Sequence, residues 1–208
     1  MDELSQEIIL VISSLLPLTA LYIQGQAYFV PAVKMIGIQS GVIASLAIFY
    51  YFLTGDPDLL ILGGILIFTR VFLTPYILLR VIKYRTWDRE RVKVLSSFLI
   101  NVTFFLSITL VLLYAVLIRV IPEQYLVLLP LILFFQGMFL IASRKSTTAH
   151  ILGYVELENS LVVMGIILIP PPLIIDATVF LDVLGLVVIS SVIIVEKRDH
   201  EPEEELVG

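Results

Sequence analysis

Two carboxylates and an amide interrupt an apolar run in Gly153–Ser160, GYVELENS, and ionisable groups inside a membrane-spanning segment mark ion or proton routes. Glu156 and Glu158 both fall near the middle of the run 149–169, which is long and apolar enough to cross a bilayer of ~30 Å. Each ionised acid at that depth costs roughly 2.5–3.5 kcal/mol on insertion scales, so such a group turns toward a protein interior or a water-filled path. The structural alternative is a carboxylate hydrogen-bonded to a neighbouring helix. Positions i and i+2 lie on nearly opposite faces of a helix, so the two acids cannot do the same job. One is expected to serve a pathway while the other meets a different helix or subunit.

Three charges share a similar depth. Arg70 lies about eleven residues into the apolar run 59–82, Asp182 about ten residues into 172–195, and Glu158 about nine residues into 149–169. If their helices are neighbours, an arginine between two acids would hold them ionised and bias where a proton resides. A static charge pair that fixes helix packing is the competing role. Gln39 and Gln136 also fall near mid-span, where their amides would extend a polar chain or act as helix–helix glue. Tyr154 precedes Glu158 by one turn and shares its face, so a hydrogen bond between them is expected. Asp176 follows the Pro170–Pro172 loop closely and is expected near the outer surface.

The elements that must position these residues are transmembrane helices. With 208 residues, 59% hydrophobic and 15% charged, and a mean hydropathy of +1.04, the chain has more apolar surface than a soluble domain of this size can bury. Seven runs of spanning length follow one another, roughly 8–24, 32–53, 59–82, 94–118, 124–143, 149–169 and 172–195. An all-α, seven-span membrane protein is therefore expected, with breaks clearest at Gly55–Asp58 and Pro170–Pro172. Pro17, Pro75 and Pro130 fall inside spans and should release carbonyls that neighbouring helices must satisfy. Cysteine is absent, which removes disulfides and thiolate or Fe–S ligation, and His150 and His200 are too few for a histidine metal cage. The net charge of -5 says little about partners, because acids crowd the tail EKRDHEPEEELVG. The opening MDELSQE lacks the basic region of a cleaved signal peptide, so the first span is expected to be retained.

Orientation follows from lysine and arginine, which are retained on the cytoplasmic side. Placing the loop with Lys83, Arg85, Arg89, Arg91 and Lys93 inside, with Arg80 at its edge, also places Lys34, Arg144, Lys145, Lys197 and Arg198 inside and leaves only Arg119 outside. The N-terminus is then out and the C-terminus in, with Tyr50, Tyr51, Tyr84 and Tyr125 at interfaces. A retinal protein has the same topology but needs a lysine in the middle of its last span, where this chain has Asp182. There is also an internal echo. A hairpin bearing Gln39-Ser40-Gly41 returns through Arg70, and one bearing Glu158-Asn159-Ser160 returns through Asp182.

On three stretches the chain resembles component E of hydrogenase-4 and related formate hydrogenlyase-type complexes. These are Phe68–Pro75 (FTRVFLTP), Ser143–Ser146 continuing through Gly153–Asn159, and Asp182 in the last span. The family often carries lysine where this chain has Arg70, which stays protonated. The resemblance implies a four-helix N-terminal region over 1–120 and a three-helix region over 121–195 similar to the K-type subunit of complex I and the C subunit of cation/proton antiporters. An acidic cytoplasmic tail, 196–208, would follow. It implies a multi-pass subunit in the cytoplasmic membrane, beside antiporter-like subunits and a peripheral hydrogenase arm. NiFe and Fe–S centres would belong to those partners, and no nucleic acid is involved. Glu158 is the acid carried over from the family's GY-x-x-x-EN pattern; Glu156 is an extra carboxylate. The proton- or ion-transfer set expected here is Glu158, Asp182, Arg70, Glu156, Gln39 and Tyr154. A stand-alone secondary transporter and a structural connector are the rival readings.

Overall fold

The computed structural model describes residues 3–83, 110, 125–144 and 146–198. The expected fourth span, the basic residues Arg85, Arg89, Arg91, Lys93, Arg119 and Lys145, the boundary near 120 and the tail beyond Arg198 lie outside the described residues. The rest is helical, apart from short connections. Helix α1 is Glu3–Gly25, α2 is Phe29–Thr54 and α3 is Pro57–Leu66. A π-helical segment, Ile67–Leu73, joins α3 to α4, Thr74–Lys83. A 3-10 turn, Tyr125–Val127, leads into α5, Leu128–Ser143; α6 is Thr147–Leu168 and α7 is Pro171–Arg198.

Local chemistry sets the boundaries. Gly55, at φ 72°, closes α2 in the left-handed conformation and donates its N–H to the Tyr51 carbonyl at 2.8 Å. Asp56 then caps α3 by accepting the Asp58 N–H at 3.0 Å, with Pro57 in the first turn. Ser146 caps α6 through the Ala149 N–H at 3.3 Å, and Pro170 and Pro171 separate α6 from α7. Among the described residues four helices are long and apolar enough to cross a membrane: Leu4–Gly25, Phe29–Thr54, the continuous Pro57–Arg80 and Thr147–Leu168. At 16 residues, about 24 Å of helix, α5 is shorter than the span expected for 124–143.

The helices close a ring in the order α1, α2, α3, α7, α6, α5, back to α1, and α2 touches α6 across its middle. Two apolar clusters fill the ring at different heights. One holds Ile9, Leu16, Ile43, Leu62, Leu66, Leu133, Val162 and Ile174. The other holds Ile23, Ile36, Leu78, Leu140, Val155 and Ile189. On each helix the polar residues of interest lie between these two sets: Gln39 between Ile36 and Ile43, Arg70 between Leu66 and Leu78, Gln136 between Leu133 and Leu140, Asn159 between Val155 and Val162, and Asp182 between Ile174 and Ile189. A polar layer is thus enclosed by dry packing on both sides.

The closest helix contact is α5 against α6. A methyl group on Gly137 would lie 2.8 Å from the Gly153 carbonyl oxygen and 3.0 Å from the Leu157 nitrogen, and one on Gly153 would lie 2.8 Å from the Gly137 carbonyl oxygen. Small residues that let backbones touch drive association where lipid removes the hydrophobic gain between helices. Gly153→Val should therefore lower the thermal stability of the purified protein by about 1–3 kcal/mol through overpacking, whereas Gly64→Ala, with nothing within 4 Å, should leave it unchanged. Equal melting temperatures for both variants in the same detergent would show that the crossing is not tight.

Candidate functional site

The site is built around a side chain that has nowhere to snorkel. Arg70 is 2% exposed and belongs to the π segment. Pro75, lacking an N–H, cannot bond the carbonyl one α-turn behind it, and the Thr74 N–H bonds the Thr69 carbonyl five residues back, which widens the turn. The backbone disturbance expected from Pro75 is thus absorbed by a π segment within a continuous helix. The wide turn brings consecutive residues, Thr69 and Arg70, onto one partner. The Arg70 Nε donates to Asp182 Oδ1 at 2.7 Å, and the Thr69 hydroxyl donates to Asp182 Oδ2 at 2.7 Å, with the Ile65 carbonyl as its alternative acceptor at 2.9 Å. Asp182 is therefore held through both oxygens.

The other edge of the guanidinium faces α6. Nη1 donates to the Asn159 Oδ1 at 3.0 Å, which fixes the amide's orientation. The Asn159 Nδ2 then donates to the Gln39 Oε1 at 2.8 Å and to the Ser40 hydroxyl oxygen at 3.2 Å. Gln39 continues the chain to α1, donating to the Thr19 hydroxyl oxygen at 3.1 Å. One connected set of polar groups therefore runs from α1 through α2 and α6 to the π segment and α7. In a low-dielectric interior such contacts are stronger than in water, and an unmet group is more costly.

Glu158 is held differently from Asp182. Its Oε2 lies 3.6 Å from Arg70 Nη2, an ion pair too long for a hydrogen bond, and its Oε1 accepts no hydrogen bond of good geometry among the described residues. The carboxylate rests against α7 at Gly185, where a methyl group would lie 2.9 Å from Oε1. One guanidinium thus serves two carboxylates, one locked and one loose. If both are ionised the group carries a surplus negative charge. That is the arrangement needed to accept one proton or one small cation, with Glu158 as the acceptor and Asp182 as the fixed counter-charge.

The expected residues distribute as follows. Arg70, Asp182, Glu158 and Gln39 come together. Tyr154 lies one turn before Glu158 on the same side of α6, as expected, with its hydroxyl interacting with the Glu158 carboxylate outside ideal hydrogen-bond geometry. Glu156 faces away and meets none of these groups. Gln136 does not extend the chain. It joins a second polar cluster between α1 and α5, donating to the Pro17 carbonyl at 3.2 Å and accepting at its own carbonyl from Gln24 Nε2 at 3.0 Å. There Arg144 caps α1 by donating to the Gln24 carbonyl at 2.6 Å. Asp176 is exposed. Sequence reasoning missed Asn159 as a ligand of Arg70, Thr69 as a ligand of Asp182, and Gly185 as the floor beneath Glu158. Comparison of the chain with protein-family models, with curated proteins and with solved structures found no match.

Arg70 and Asp182 should behave as one unit. Removing one partner of a buried pair typically destabilises by roughly 3–5 kcal/mol because the other charge is left uncompensated, while removing both is far less harmful. Arg70→Met and Asp182→Leu should each sharply lower the amount of folded protein in membranes, and the double variant should recover much of it. Simple addition of the two losses would show that the residues are uncoupled.

Proposed function

We propose that the chain is a membrane-arm subunit of a complex I-like, energy-converting NiFe-hydrogenase of the hydrogenase-4 or formate hydrogenlyase type. It supplies buried charged groups that help couple electron transfer in the peripheral arm to proton or sodium translocation. The observation that carries this reading is the unequal pair of acids on Arg70, one hydrogen-bonded at 2.7 Å and the other only ion-paired at 3.6 Å. Protonation of Glu158 weakens its attraction to Nη2, and the guanidinium then faces Asp182 alone. Deprotonation restores the competition. A redox event in a neighbouring subunit that moves charge or a helix near this layer would bias which state is favoured.

In this reading the protein lies in a cytoplasmic membrane with seven spans, its N-terminus out and its C-terminus in. Antiporter-like membrane subunits and the hydrogenase arm are its partners. The NiFe and Fe–S centres belong to those partners, since a chain without cysteine offers no thiolate ligand. The structural-connector reading draws on the tight Arg70–Asp182 bond, and it requires that Glu158 be dispensable for transport.

Glu158→Gln is expected to keep the complex assembled and hydrogenase turnover measurable while reducing ion uptake into inverted vesicles severalfold. Wild-type ion movement and turnover in an assembled variant would exclude the coupling role. Copurification with Fe–S proteins separates a complex subunit from a transporter active alone.

Topology is tested independently, because the native chain has no cysteine. Arg89→Cys should label from the cytoplasmic side and Asp56→Cys from the outer side. Labelling of both from one side contradicts the odd-numbered crossing between them.

A further inference from the structure

Glu156 has the most confined carboxyl group among the described residues. Its side chain is 0% exposed, and neither of its oxygens has a hydrogen-bond donor among the described residues. It points away from Arg70, on the face of α6 that packs against α5. A methyl group on Gly137 would lie 3.1 Å from its Cβ, so the acid is rooted where the two backbones touch. The main-chain groups there are committed to their own helices. The hydroxyl one turn further along the same face, Ser160, is committed to the Pro130 carbonyl at 2.7 Å. On α5, Leu133 and Leu140 flank this level and belong to the dry clusters.

An isolated ionised carboxylate in such surroundings carries a desolvation cost that neutralisation removes. We propose that Glu156 is a second proton-binding site, separate from the Arg70 network, which holds its proton as a neutral carboxylic acid enclosed at the α5–α6 crossing. A proton fits the site better than a metal cation, because a hard cation has to be wrapped by several oxygens and no group of three acidic or metal-binding side chains occurs among the described residues. The polar layer then carries two acids of different kinds on opposite sides of one helix: Glu158, loosely paired with a cation, and Glu156, uncharged and dry. Occupancy of Glu156 stands independently of the hydrogenase reading, and only the use made of the proton rests on it.

Infrared spectroscopy of the full-length protein in lipid bilayers tests this directly. The carbonyl stretch of a protonated carboxyl group should be present in the wild type and in Glu158→Gln, should be lost in Glu156→Gln, and should shift in D2O. A hydrophobic carbodiimide provides a second measurement on the wild type, should Glu156→Gln fail to fold. The acid O–H adds across a C=N bond, its proton going to nitrogen and its oxygen to the central carbon. Migration of the acyl group to nitrogen leaves a stable N-acylurea, without oxidation or reduction. An adduct mapped to Glu156 by mass spectrometry supports the site. A protonated-carboxyl band that survives Glu156→Gln overturns it, as does one abolished by sodium chloride, or a wild type with neither band nor adduct, as expected for an ionised, hydrated carboxylate.

Discussion

Everything at mid-height depends on keeping one guanidinium out of water. Arg70 cannot lose its proton and cannot reach an interface, so its donors have to be met from inside the ring. The partners come from α6 and α7, and Asn159 passes the demand on to α2 and α1. The helices are therefore selected for mutual position as well as for apolar area, which in a membrane supplies little attraction of its own. The dry clusters above and below the layer complete the arrangement by excluding solvent from it.

Much of this was legible in residue type and depth. Three charges at the same distance from their helix ends pointed to a shared layer, and the pairing of Arg70 with Asp182 follows. The polar positions of the two hairpins meet one another, Gln39 and Ser40 bonding Asn159 and Arg70 bonding Asp182. What sequence did not disclose depends on geometry smaller than a turn. Asn159 follows Glu158 by one residue, and only the rotation of α6 against α2 decides that the amide, rather than the acid, takes the short contact with Arg70. Thr69 becomes a ligand because Pro75 widens the turn, whereas the sequence signals only that a proline inside a span releases carbonyls. Gln136 had the right depth but the wrong face, and depth alone cannot tell the α1–α5 seam from the Arg70 layer.

The contrast between Glu156 and Glu158 shows how two residues separated by one position acquire different environments. The two-residue spacing sends one toward a glycine on α5 and the other toward a glycine on α7. In both cases the missing side chain across the contact is what makes room for a carboxyl group in a packed interior. Gly137 does so by letting backbones touch, and Gly185 by leaving the carboxylate's own oxygens against the α7 main chain.

The bond between Arg70 and Asp182 spans 112 positions of the chain, and this has a consequence for biosynthesis. At about 5–20 residues per second, roughly 6–22 s pass between synthesis of the arginine and synthesis of Asp182. Until α6 is made, the third hydrophobic segment has to enter the bilayer with an uncompensated cation near its centre, against an insertion cost of roughly 2.5–3.5 kcal/mol. The segment's flanking leucines, isoleucines and phenylalanines offset that cost, and Glu158 and Asn159, made earlier than Asp182, become the first groups able to receive the guanidinium. The order of synthesis thus makes α6 a temporary host, and α7 the element whose arrival commits the bundle to its final form.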